Sequence, residues 1–441
     1  MKYIGALDVG TTTVRFHILD EKANTVASSV EKVRLLYPKP GYVEIDPDEL
    51  WQAIVNVINN TLRESKVNAE TIVGLGISTQ RCSFTTWNLK DGRHYHNFIT
   101  WKDSRANDMV NEWNSSISMK GLRLGSQILY TLSRKKRYLA ASVFKFMNTQ
   151  ISLRLLWALQ HVPGLQEAAN NGNAVFGGVD SWLLYKLTVQ AQTRPSNEPP
   201  AAGEVFIKLG DTVIIVIAGI PERRHVTDVS SASATGLFDP FTMCWSYVMI
   251  NLLKLPNSIF PEVMDTCGNF GVTPKDVFGV EIPILCSMAD QSASLFGSGC
   301  TQPGDLKITM GTGTFVNVNS GSKAHASVSG LYPLVGWRIN DELVYMVEGA
   351  SNNTGVLIEW AKKIGIIDHA AETANTARSV NDSDGVYFVP AFSGLQTEIV
   401  IEVGKVEQEP ISSETEDMKS VTKEWRIDME SNLPEDVETS E

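Results

Sequence analysis

Residues 4–16 read Ile4-Gly5-Ala6-Leu7-Asp8-Val9-Gly10-Thr11-Thr12-Thr13-Val14-Arg15-Phe16, and residues 306–316 read Leu306-Lys307-Ile308-Thr309-Met310-Gly311-Thr312-Gly313-Thr314-Phe315-Val316. Each stretch is an apolar run, a Gly/Thr tip and a second run of β-branched and large apolar residues, the pattern of a β-hairpin. Two such units in one chain suggest a duplicated architecture, with chance recurrence of a common turn as the competing reading.

Outward from the first hairpin, Asp46-Pro47-Asp48-Glu49 supplies an N-cap, a proline at the first helical position and an acid three residues on. Leu50, Trp51, Ile54, Val55, Ile58 and Leu62 follow at helical spacing. Ile72 to Ser78 reads as a strand running directly into Thr79-Gln80-Arg81, which sets a polar cluster at a strand's C-terminal end. Helices are expected over Leu153 to Gln160, over Ser181 to Leu187 and from about Gln291, with a strand over Ile282 to Ser287. This alternation defines an α/β fold.

The chain has 441 residues, 43% of them hydrophobic and 20% charged, enough to bury a sizeable core in two to three domains. Its net charge of -12 is uneven, since Lys405 to Glu441 carries twelve acidic and four basic residues. No basic excess points to nucleic acid. Five scattered cysteines lack metal-binding spacing and read as reduced thiols, and the early polar residues argue against a signal peptide. The longest apolar run, Val213 to Gly219, is too short to span a bilayer, so a cytoplasmic location is expected. The basic run Arg134-Lys135-Lys136-Arg137, in an amphipathic stretch from Leu122 to Leu139, reads as a solvated helix face in preference to a membrane or partner contact.

Two stretches differ from the rest. Between Val189 and His225 a Pro/Ala/Asn-rich linker precedes a small hairpin over Val205 to Ile215. Beyond Leu395 the composition turns acidic and polar, as in a disordered tail.

In the first Gly/Thr unit, Asp8 stands at a strand end, followed by successive amides and hydroxyls and then Arg15. Such a turn can cradle a phosphate while the carboxylate holds hydrated Mg2+ through water. A solvated hairpin tip capped by Asp is the plain alternative. Asp290 follows an apolar strand and precedes a small-residue helix; it can accept a proton from an attacking hydroxyl, or simply cap the helix. Arg81 and Trp101 could line a substrate pocket, though a lone Trp more often belongs to a core. Together these parts meet the few demands of phosphoryl transfer.

Seven segments in order carry a family resemblance: Leu7 to Arg15, Gly41 to Pro47, Gly76 to Arg81, Phe176-Gly177-Gly178-Val179-Asp180-Ser181-Trp182-Leu183, Ala289-Asp290-Gln291, Met310 to Gly313, and Val389 to Leu395. In these the chain resembles the carbohydrate (FGGY) kinases, which include glycerol, xylulose, ribulose and gluconate kinases, and within them the glycerol kinase-like branch. The resemblance covers residues 1 to 188 and about 226 to 395. It implies α/β architecture with duplicated ribonuclease H-like, actin-like ATPase domains closing around ATP and substrate. The implied organisation is an N-terminal kinase domain over 1–300 with an insertion at 189–225, a partial C-terminal domain over 301–396, and a tail over 397–441.

The resemblance implies that Thr11, Thr12, Thr13 and Arg15 face ATP phosphates, that Thr312 serves the second phosphate turn, and that Gly355 lies by the nucleotide. Asp8 is the Mg2+ ligand through water, Asp290 the base, Arg81 and Gln291 the holders of acceptor hydroxyls, and Trp101 an aromatic wall. The implied reaction is ATP-dependent phosphorylation of a primary hydroxyl of glycerol to glycerol 3-phosphate. A small polyol is the expected partner, without nucleic acid or a stable membrane span; assembly into a homo-oligomer stays open.

Two departures bear on the acceptor, since Cys82 stands where glycerol kinases follow the pocket Arg with Glu, and Thr149 aligns with their pocket Tyr. Losing a polar partner can change selectivity by orders of magnitude, so another polyol or sugar is an alternative acceptor. After Leu395-Gln396 the family's adenosine-gripping remainder does not follow. An incomplete second domain, apolar faces bared around Val386 to Phe392 and weak ATP binding are therefore expected, which makes a catalytically impaired binding or regulatory protein the other alternative.

Overall fold

The computed structural model describes residues 1–188, 204–209, 212–217, 224–311, 313–325, 332–351 and 354–386. Contacts divide the chain into two compact units, Met1–Thr309 with Phe315–Ala350, and Met310–Thr314 with Ser351–Glu441.

The first unit is organised by a six-stranded sheet. Strands Tyr3–Val9 and Thr13–Leu19 form the expected opening hairpin, with Asp8 opposite Arg15 and Val9 opposite Val14. Alternation decides its faces: Leu7, Val9, Val14, Phe16 and Ile18 are buried. Gly5 is required by close approach, because a Cβ there would lie 2.9 Å from the Phe16 ring. Strand Thr25–Lys32 closes one edge. On the other side Ile72–Thr79 pairs parallel with Tyr3–Val9, Pro283–Ala289 pairs parallel with Ile72–Thr79, and Cys267–Val272 ends the sheet.

Helix Pro47–Ser65 covers this sheet with Leu50, Ile54, Val57 and Ile58. Its N-terminus has the expected cap, the Asp46 carboxylate accepting from the amides of Asp48 and Glu49. The helices expected around Leu153, Ser181 and Gln291 span Ile151–His161, Val179–Leu187 and Asp290–Gly297. A second layer joins Phe84–Asn88 antiparallel to Ala174–Gly178, and strand Ala174–Gly178 feeds helix Val179–Leu187.

The second Gly/Thr unit also folds as expected, with Leu306–Met310 beside Thr314–Gly321 in a four-stranded sheet completed by Glu342–Ser351 and Tyr332–Ile339. The small hairpin of the 189–225 segment pairs Glu204–Leu209 with Thr212–Ile217. The linker before that hairpin and the tail beyond Val386 lie outside the described residues.

One expectation is corrected by backbone geometry. The Leu122 to Leu139 stretch is not one helix: Ile117–Ser133 ends at Arg134, whose φ of 56° is left-handed, and a second helix begins at Lys136. Arg134 and Lys135 thus form a corner between two helices, and Lys136 and Arg137 open the second of them.

Candidate active site

Three neighbouring parallel strands end on the same side of the sheet, and each delivers a charged residue there. Tyr3–Val9 carries Asp8, Ile72–Thr79 runs on into Gln80 and Arg81, and Pro283–Ala289 runs into Asp290. Registers of Asp8 opposite Ser78 and Ala289 opposite Thr79 bring these ends level. Charged groups gather there because parallel strands leave a crevice beyond their C-terminal ends.

The Gly10 to Thr13 turn is closed by the Gly10 amide donating to the Thr13 carbonyl at 2.9 Å. Asp8 pairs with Arg15 at 3.1 Å across the hairpin, and the Ser78 hydroxyl donates to its other oxygen at 3.4 Å. Thr11 donates to Gln80 Oε1 at 2.9 Å and accepts from Trp101 Nε1 at 2.8 Å. Gln80 Nε2 in turn donates to the Gly10 carbonyl at 3.1 Å, so Gln80 ties the turn to the Arg81 strand end. Trp101 stands beside the Gly/Thr turn, its ring edge-on to Phe315 at 6.0 Å between centroids.

Arg81 lies between two acids, with Nε 3.6 Å from Asp290 Oδ1 and an η-nitrogen 2.6 Å from Glu348 Oε2. Asn317 donates to the same Glu348 oxygen at 2.7 Å. Burial opposes the Arg81 charge, yet Glu348 and Asp290 outweigh it and leave the guanidinium more basic than usual. Asp290 is not the helix cap. That position belongs to Ala289, and the Asp290 carboxylate accepts from the Gln291 amide at 2.8 Å while facing Arg81. Burial pushes its pKa up to about 6; Arg81 pulls it down, and Glu348 and Asp8 push it further up.

Gln291 is buried, its Oε1 accepting from Lys307 Nζ at 3.2 Å and from the Thr309 hydroxyl at 3.4 Å. Burial makes Lys307 less basic than an ordinary lysine, against the pull of Asp290. Sequence reasoning gave no role to Lys307, Glu348 or Asn317. The available signal was an acid or base interrupting an apolar strand, as Glu348 does after Leu343-Val344-Tyr345-Met346-Val347.

The loop after Arg81 is held by a residue the sequence reading passed over. Arg154, fully buried on helix Ile151–His161, donates to the carbonyls of Cys82, Thr149, Gln150, Ile99 and Thr100. Burial lowers its pKa to about 10. Cys82 and Thr149, the two departures, are thereby anchored to one guanidinium. Cys82 sits at φ 61°, a left-handed conformation, and its thiol donates to the Ala234 carbonyl at 3.1 Å. Burial pushes that thiol up to about 11, so it is neither ionised nor a stand-in for a carboxylate.

In the second unit, the Gly355 amide, at the start of helix Gly355–Lys363, donates to the Gly311 carbonyl at 3.0 Å. The hydroxyls of Thr314 and Thr354 lie 2.6 Å apart. Thr312 lies outside the described residues. Thr12 is exposed at the tip of the first turn, and Thr13 begins its returning strand. The structure thus brings Asp8, Thr11, Arg15, Arg81, Trp101, Asp290 and Gln291 to one unit.

Two carboxylates and a guanidinium at adjacent strand ends, next to a hydroxyl-rich Gly/Thr turn, define an α/β phosphotransferase. The chain belongs to the FGGY family of carbohydrate kinases: the N-terminal domain of that family matches residues 3–297 and the C-terminal domain residues 306–402. It is 47% identical over 394 residues to glycerol kinase 5 of Danio rerio and 44% identical over 394 residues to that of Homo sapiens. In both cases the match covers 89% of this chain and 68% of the relative. The crystal structure of Plasmodium falciparum glycerol kinase with ADP superimposes with a TM-score of 0.72 at 26% identity, covering 89% of this chain and 70% of that one.

Proposed function

We propose that the chain transfers the γ-phosphoryl group of ATP to a primary hydroxyl of glycerol, giving glycerol 3-phosphate and ADP. The observation that carries this reading is Asp290, a carboxylate at a strand end whose pKa is raised to about 6 although Arg81 stands 3.6 Å away. The relatives named glycerol kinase support the acceptor.

In this reading Asp290 takes the proton from the acceptor hydroxyl as its oxygen bonds to phosphorus, and the bond to the ADP oxygen breaks. Arg81 and Gln291 hold the acceptor's other hydroxyls, and Trp101 walls the pocket. Thr11, Thr12, Thr13 and Arg15 face the phosphates, and Thr312 and Gly355 take the nucleotide-binding roles that the family resemblance implies.

Magnesium fits these residues in one way. Among the described residues no cluster of three or more metal-binding side chains occurs, so they offer no all-protein cage. Asp8, partly open and facing the same crevice, suits the usual pattern of one carboxylate plus water and substrate phosphates. Bound there, Mg2+ would neutralise charge on the transferring phosphoryl group.

The test is ATP-dependent phosphorylation of glycerol, dihydroxyacetone, erythritol, xylulose and ribulose by the chain and by Asp290→Asn. Turnover of glycerol that disappears in the variant is expected. Turnover of a different acceptor would move the substrate assignment, which Cys82 makes worth measuring. Silence on every acceptor from a folded sample would favour a binding or regulatory role.

A further inference from the structure

Helix Ile117–Ser133 is turned the wrong way for a helix of a water-soluble surface. Its inward face holds Met119 and Ser126, both buried, and Arg123, whose guanidinium donates to the carbonyls of Phe144 and Asn114. Its outward face, at the i, i+4, i+7 spacing of one helical stripe, is Ile117, Gly121, Leu124, Gly125, Ile128 and Leu132. Ile117 is 88% exposed, Leu124 64%, Ile128 53% and Leu132 78%. A Cβ on Gly121 or Gly125 would meet nothing within 4 Å, so the stripe is open along its length. Single exposed leucines need no explanation, but a continuous apolar row does.

Charge narrows the choice of what covers that row. Between Glu112 and Glu167 the sequence has no acidic residue and eight basic ones, in a chain whose net charge is -12. Four of the eight form the exposed corner Arg134-Lys135-Lys136-Arg137 at the helix's C-terminal end. Arg137 is neutralised by Asp239 at 2.6 Å; among the described residues Arg134, Lys135 and Lys136 have no ion pair. An apolar stripe ending in unneutralised cations matches an anionic bilayer surface, where acyl chains meet the first and headgroups the second. None of the described helices is long and apolar enough to cross a membrane, so the contact is peripheral.

We propose that the outward face of helix Ile117–Ser133, with the basic corner at residues 134–136, docks the protein onto anionic phospholipid membranes. The surface is separate from the strand ends that carry Asp8, Arg81 and Asp290, and the proposal does not rest on the kinase reading.

Flotation of the purified chain with vesicles tests it, comparing pure phosphatidylcholine with an equimolar mixture of phosphatidylcholine and phosphatidylserine. Binding is expected on the mixed vesicles alone, weakening as salt rises. Lys135→Ala with Lys136→Ala should weaken it about thirtyfold, at the usual contribution of a basic residue near such a surface. Ile128→Ser with Leu132→Ser should abolish it while leaving the circular dichroism spectrum unchanged, since both side chains project into solvent. Failure to float, or equal flotation on both vesicles, overturns the proposal. So does wild-type self-association in sedimentation equilibrium that Ile128→Ser with Leu132→Ser dissolves without any lipid preference, because the face then belongs to a second copy.

Discussion

Arg81 and Glu348 stand 267 residues apart in sequence and 2.6 Å apart in space. Their ion pair joins the end of a central strand of the first sheet to the Glu342–Ser351 strand of the four-stranded one. It places a carboxylate beside Arg81 where the next residue, Cys82, offers none.

Glu348→Ala leaves the Arg81 charge buried with only the looser Asp290 contact, and should cost about 3 kcal/mol of stability. The denaturation midpoint should fall at unchanged slope, whereas Glu348→Gln, which keeps an acceptor for Asn317, should lose less. Since Glu348 helps to raise the Asp290 pKa, the Gln variant should also shift the acid limb of the activity profile to lower pH. An unmoved midpoint in the Ala variant would mean the pair contributes nothing.

Asp290→Asn should reduce turnover by about 10²–10⁴-fold, the range for loss of a general base. In the wild type, activity should decline as pH falls through about 6, where Asp290 takes up a proton. The stability effect has the opposite sense. A carboxyl whose folded pKa is raised from 3.8 to about 6 binds more protons folded than unfolded in that window, so stability falls as pH rises through it. Melting curves from pH 4 to 8 should therefore show Asp290→Asn gaining on the wild type as pH rises from about 4 to about 6 and holding that advantage above it, an inactive variant that is the more stable protein. Equal pH dependence of the two would remove the raised pKa from the account.

Arg154→Leu should destabilise by about 3–5 kcal/mol, because several buried carbonyls lose their donor at once. Arg154→Lys should restore little, since one ammonium cannot reproduce a planar fork reaching the carbonyls of Cys82, Thr149 and Thr100. A chemical denaturation series on the three proteins reads this directly. Full rescue by Lys would show that charge, and not geometry, is what the site requires.

Cysteine labelling separates exposed from buried thiols. Cys244 is exposed, whereas the Cys82 thiol is held neutral by burial and committed to the Ala234 carbonyl. Maleimide at pH 8 followed by peptide mass mapping should find Cys244 modified first and Cys82 protected until the protein is unfolded. Early modification of Cys82 would contradict its raised pKa.

Local patterns in the chain were enough to determine much of this molecule. The Gly/Thr hairpins, the Asp46 cap on the following helix and the strand ends at Arg81 and Asp290 are short-range features, in which period-2 burial, capping and turn chemistry act within a few residues. The family's ordered segments likewise lie along the chain, so Asp8, Arg81 and Asp290 could be named before any contact was known. The corner at Arg134 was hidden, because an amphipathic pattern continues across a left-handed residue without a glycine to mark it. The partners of Arg81 were hidden for a different reason: Glu348 and Asn317 meet it only when two sheets are brought together, and no local period encodes that. Arg154 read as one charge on an apolar helix and became a carbonyl anchor only once folding buried it. The direction in which helix Ile117–Ser133 turns its leucines was decided by packing at Met119 and Arg123, because a helix with apolar residues on more than one face has no preferred inside until its neighbours choose one.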